Sequence, residues 1–86
     1  MHHLPSAFPL VIADPGRLLF EGRVQALFLR GEEGCIEILP HHADISLSLV
    51  PGEIFYVTEE GERTALESQC HGFFHMKDNR ASLLLL

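Results

Sequence analysis

Six histidines, at positions 2, 3, 41, 42, 71 and 75, are the most conspicuous chemical groups in this 86-residue sequence. With Cys35 and Cys70 they are the natural donors for a zinc ion, but their spacing opposes that use. His71 and His75 would converge on a helix, whereas on a strand they point the same way roughly 13 Å apart. His41 and His42 are adjacent and diverge in an extended chain. No CxxC, HxxxC or HExxH pattern is present. Ser6, Ser46, Ser48, Ser68 and Ser82 lack a GxSxG elbow. Cys70 and His71, as neighbours on a strand, take opposite faces. Nothing selects one pair among the twelve acids for glycosidic chemistry. The Gly31-Glu32-Glu33-Gly34 loop carries two acids where a phosphate cradle needs free N–H groups and a lysine. No catalytic residue, metal site or cofactor is assigned.

The elements that would position these groups read as strands. Turn signals recur about every ten residues: Pro15-Gly16, Glu21-Gly22, Gly31–Gly34, Pro40–His42, Pro51-Gly52, Glu60-Gly61 and Asp78-Asn79. Between them lie nine β-like runs: 8–13, 17–20, 23–30, 35–39, 45–50, 53–58, 63–69, 71–77 and 81–86. Ile36 and Ile38 share one face and Cys35 and Glu37 the other; Ile45, Leu47 and Leu49 likewise oppose Ser46 and Ser48. Hairpins are expected at Glu59–Glu62, with Gly61 free to take positive φ, and at Asp78-Asn79. The pattern predicts one all-β domain over 8–86 after an N-terminal extension at 1–7.

Composition sets the outer limits. Apolar residues make up 47% of the chain, and 12 acids against 6 bases leave a formal charge of −6. A domain this small buries only about 60–65% of its unfolded surface, which leaves little room for an enclosed active site. The bases are scattered singly, which argues against nucleic acid. No stretch approaches the ~20 apolar residues of a membrane span, and Met1–Pro5 does not read as a secretory signal. Without one, Cys35 and Cys70 are read as free thiols. The closing Leu83–Leu86 wants burial, so either its strand docks fully or the natural chain continues. Gly31 to Gly52 stands out instead, because its glycines and prolines fix the backbone and present polar groups at one end of the domain.

Five short motifs stand in order along the chain: Leu19-Phe20-Glu21-Gly22-x-Val24, Gly31-x-Glu33-Gly34, Ile38-Leu39-Pro40-x-His42-Ala43, Leu49-x-Pro51-Gly52, and Gly72-Phe73 followed by Asn79. Through them the chain resembles the N-terminal domain of the epsilon subunit of F-type ATP synthases. The motifs keep the family's order and spacing from about Phe8 to Leu85. The run Leu39–Asp44, with Leu49–Gly52, is similar to the alternate, sodium-linked bacterial branch.

The resemblance implies a two-sheet β-sandwich of about ten short strands, here without the family's C-terminal helical hairpin. It implies a non-catalytic rotor subunit that links gamma to the membrane c-ring and couples ion translocation to ATP synthesis or hydrolysis. Such a subunit is peripheral, on the cytoplasmic side of the bacterial inner membrane, and has no span of its own. Matching the motifs places Glu33, Gly34, Cys35, His41 and His42 toward the c-ring, and the neighbourhood of Asp14 and Leu47 toward gamma. Cys35 stands where the family commonly has an acid, so charge at the ring would fall to Glu32, Glu33 and Asp44. Two other readings remain open: a small metal-binding β-sandwich enzyme, and a generic protein-interaction adaptor.

Overall fold

Residues 7–86, which the computed structural model describes, form eight strands and no helix. They are β1 (Phe8–Asp14), β2 (Arg17–Gly31), β3 (Gly34–Ile38), β4 (Ile45–Leu49), β5 (Gly52–Thr58), β6 (Arg63–Ser68), β7 (Gly72–Lys77) and β8 (Arg80–Leu85). The expected extension, His2 and His3 included, lies outside the described residues except for Ala7, which is fully buried. The strands follow the alternation of the sequence. In β7 the residues run buried, exposed, buried from Gly72 to Lys77, and β8 repeats the pattern out of phase.

The strand count is eight rather than the expected nine or ten, and β2 supplies part of the difference. The runs expected at 17–20 and 23–30 are one 15-residue strand. Glu21-Gly22 is not a turn: Glu21 pairs with Val11 and Gly22 with Leu10. Gly22 serves a close approach, since a Cβ there would stand 2.9 Å from the Phe20 ring.

At Val24, the last residue paired with β1, β2 changes partner and phase. Val24 pairs with Thr58 and Ala26 with Val57, so Gln25 is the extra residue of a bulge. Its side-chain amide donates to the Glu59 carbonyl at 2.9 Å. One inserted residue reverses the in–out alternation. Val24 is buried before the bulge, and Leu27 and Leu29 after it, while Gln25 and Arg30 are exposed.

The first half of β2 pairs with β1, and its second half pairs with β3 and β5. β1 continues in parallel to β8, then β7 and β4, and β5 continues to β6. Gly31 meets Leu49, so the end of β2 also joins β4. The two layers are therefore one continuous sheet folded over at β2. Its interior is a single cluster: Phe8, Leu10, Ile12, Leu83, Phe74 and Met76 from one layer, with Leu27, Leu29, Ile38, Ile54 and Tyr56 from the other. The partly buried Phe20 packs against this cluster, its ring 4.4 Å from that of Tyr56.

Both expected hairpins form. Gly61 takes φ 96° between β5 and β6, and Thr58 Oγ1 accepts from the Glu62 N–H at 3.0 Å. Asp78 and Asn79 take φ 50° and 60°, the double left-handed signature of a type I′ turn. The last strand docks between β1 and β7, but only alternate leucines gain burial. Leu83 and Leu85 are inside, and Leu84 and Leu86 are outside.

Candidate interaction surfaces

The chemistry-bearing side chains stay dispersed. Among the described residues, no group of three or more His, Cys, Asp or Glu could hold a metal ion. Cys35 and Cys70 are both free thiols. His75 points outward and shares a 2.7 Å hydrogen bond between Nδ1 and Ser46 Oγ. His71 lies just before β7 and is exposed. What the fold builds is two surfaces.

One surface is the flank between β3 and β4, which share no ladder. A shallow cleft of about 270 Å³ separates them, lined by Gly31, Glu32, Glu33, Ile36, Leu47 and Ser48. The β2–β3 turn at one end of β3 brings Glu33, Gly34 and Cys35 together. The Leu39–Asp44 loop at the other end carries His41 and His42. At the usual strand rise the two ends are about 13 Å apart, so the residues matched to the c-ring form two groups rather than one. Cys35 is exposed on the outer face, opposite Arg30, beside a hollow shared with Phe28, Glu53 and Phe55.

The loop at the second end is tied down from outside. His42 N–H donates to the Leu39 carbonyl at 3.1 Å, closing a turn in which His41 takes φ 63°. The His41 N–H donates to Asn79 Oδ1 at 2.6 Å, and Asp44 Oδ1 accepts from the Asp78 N–H at 3.0 Å. His42 Nδ1 lies 2.8 Å from the Ala43 carbonyl, which can only accept, so that nitrogen carries a proton. Neither Asn79 nor its reciprocal bond with the loop was legible as part of this surface. A turn residue and a loop residue 38 positions apart give no periodic signal.

The second surface is the outer face of the layer β1–β8–β7–β4. Cross-strand register places Leu18, Ala13, Leu84, Phe73 and Ser48 in one row. Leu18, Phe73 and Leu84 are 56%, 53% and 42% exposed, which makes the row three of the five large apolar side chains exposed on the described chain. Contiguous exposed apolar side chains, unlike singly scattered ones, are a feature of docking surfaces. Asp14 and Leu47 do not themselves meet on it. Asp14 Oδ1 accepts from the Gly16 and Arg17 N–H groups of its own turn, and Leu47 packs against the core. Asp14 follows Ala13, however, and Leu47 precedes Ser48, so the row joins their two neighbourhoods. A signal for it did exist. Phe74 faces the core, so Phe73 must face out, and Leu84 follows from Leu83 and Leu85 in the same way.

The family model for the ATP synthase Delta/Epsilon chain beta-sandwich domain matches residues 7–85. The chain belongs to this family. An ATP synthase epsilon chain of Leptospira interrogans is 34% identical over 73 residues, covering 85% of this chain and 56% of that one. One from Nitratiruptor is 32% identical over 76 residues, covering 88% and 58%. The chain thus spans a little over half the length of these relatives. In the cryo-EM structure of the Euglena gracilis mitochondrial ATP synthase (OSCP/F1/c-ring), one chain superimposes with a TM-score of 0.87. It is 22% identical, over 98% of this chain and 53% of its own. That likeness establishes the fold of the epsilon-type domain. No helix among the described residues is long and apolar enough to cross a membrane.

Proposed function

We propose that this epsilon-type domain is the β-sandwich part of a non-catalytic central-stalk subunit of an F-type ATP synthase. It links gamma to the c-ring, and so couples ion translocation through the ring to ATP synthesis or hydrolysis in the head. Its place is peripheral, on the cytoplasmic side of a bacterial inner membrane. The coupling ion is a proton or, following the Leu39–Asp44 variant, sodium.

The observation that carries this reading is the exposed row Leu18–Ala13–Leu84–Phe73. An apolar row on a sheet face suits a permanent partner such as gamma, which would remove it from water. The next row, Glu21–Val11–Ser82–His75–Ser46, is polar except at Val11 and borders it. The β3–β4 flank differs in kind. Glu32, Glu33, His41 and His42 are polar and lie on turns, which suits the polar loops of a c-ring.

The test is reconstitution with purified cognate gamma and c-ring. The wild-type chain forms a complex with both. Phe73→Ser with Leu84→Ser weakens gamma binding at least about tenfold, as expected for apolar anchors at an interface centre, and spares the ring. A wild-type chain that binds neither partner overturns the reading.

A further inference from the structure

We propose that Asn79 and Asp44 are positioning residues: they latch the His41-His42 loop to the β7–β8 turn and preset it for docking on the c-ring. The inference rests on the reading of that loop as ring-facing.

The Leu39–Asp44 loop has little holding it from within. Apart from the His42 Nδ1 contact with Ala43, its own closure is the one bond from His42 N–H to the Leu39 carbonyl. Within that turn His41 takes φ 63°, a left-handed conformation uncommon for a residue with a Cβ. The surroundings here are the β7–β8 turn, and they hold the loop in both directions. Asn79 reaches from the turn to the loop backbone at His41, over 2.6 Å. Asp44 reaches from the loop to the turn backbone at Asp78, over 3.0 Å. Two side chains from different elements each satisfy the other element's N–H group.

The choice of residues at these positions goes beyond what the turn needs. A type I′ turn with φ 50° and 60° accepts glycine at its second central position as readily as asparagine. Glycine would form the same turn and leave the His41 N–H without its acceptor. The amide oxygen of Asn79 is therefore spent on the neighbouring loop. Both latches are exposed, so they add little to global stability, and their effect is local. A loop already held in its docking conformation loses less entropy on binding than a free one.

Two sets of variants test this in the 86-residue chain. Asn79→Gly keeps the turn and removes one acceptor; Asp44→Ala removes the other. Asp44→Asn keeps a carbonyl oxygen in place and serves as the rescue. The readouts are amide hydrogen exchange at His41 and Asp78, and separate dissociation constants for the c-ring and for gamma. Asn79→Gly is expected to speed exchange at His41, and Asp44→Ala at Asp78. The double variant should bind the ring about three- to tenfold more weakly, with gamma affinity unchanged within about twofold. Asp44→Asn should restore most of what Asp44→Ala loses. Faster exchange with unchanged ring affinity overturns the inference, and so does an equal loss toward gamma and ring. If the wild-type chain binds gamma but not the ring, the ring-facing reading itself has failed, and the inference falls with it.

Discussion

Phe28 and Phe55 lie directly opposite each other across β2 and β5, with ring centroids 4.1 Å apart and planes 12° from parallel. The Arg63 guanidinium sits 4.9 Å from the Phe55 ring centre. The three lie on the outer face of the second layer, away from the row proposed to meet gamma. A stacked cross-strand pair adds about 0.5–1.5 kcal/mol beyond its area. A double-mutant cycle of Phe28→Ala and Phe55→Ala, read by urea unfolding, should show coupling of about that size. Additive losses would mean that the rings contribute only their separate burial.

Gly72 belongs to a different kind of contact. A Cβ at this position would meet the Leu84 carbonyl oxygen at 2.6 Å and Leu85 Cδ2 at 3.2 Å. Backbone cannot step aside as a flexible side chain can. Gly72→Ala should therefore destabilise by about 2–3 kcal/mol, as overpacking does. Gly16→Ala, whose Cβ would meet only Asp14 Oδ1 at 3.5 Å, should stay within about 1 kcal/mol. Chemical denaturation of the two variants side by side checks the contrast.

Phe74 is 1% exposed at the centre of the core. Truncating a buried phenylalanine costs about 3–5 kcal/mol. A chain of this length has roughly 4–13 kcal/mol in total. Phe74→Ala should thus remove much or all of the cooperative unfolding transition seen by circular dichroism. Phe73→Ala, one residue away but facing solvent, should leave the transition midpoint nearly in place.

The bulge at Gln25 makes a sharper forecast. Deleting Gln25 would restore a regular ladder and turn Leu27 and Leu29 outward, with Phe28 and Arg30 inward. The deleted chain should fail to give a dispersed amide spectrum by NMR. Gln25→Ala keeps the extra residue and should fold, losing only the bond to the Glu59 carbonyl, about 1 kcal/mol.

Arg23 and Glu59 form an ion pair of 3.3 Å whose side chains are about half exposed. Solvent and salt screen such a pair, so its worth is about 0–1 kcal/mol. Glu59→Gln should shift the urea midpoint only slightly, and the shift should vanish in high salt.

Most strands, both hairpins and the family were legible in the sequence, because alternation of burial and turn chemistry are local properties. Ile36 and Ile38 against Cys35 and Glu37, or Asp78-Asn79 between two runs, need no knowledge of the rest of the chain. The continuity of β2 was not legible. Gly22 looks like turn punctuation until the Phe20 ring is seen lying against it, and Gln25 looks like any exposed residue until β5 supplies the register that makes it a bulge. The surfaces divide along the same line. Each outward residue of the row Leu18–Ala13–Leu84–Phe73 has a phase that its own strand dictates. Only sheet order brings four strands together so that those residues form one strip. The Asn79–His41 bond lies further still from sequence, since it joins a turn and a loop whose meeting depends on how β4 pairs with β7. Local pattern decided what each segment is; long-range pairing decided what each side chain faces.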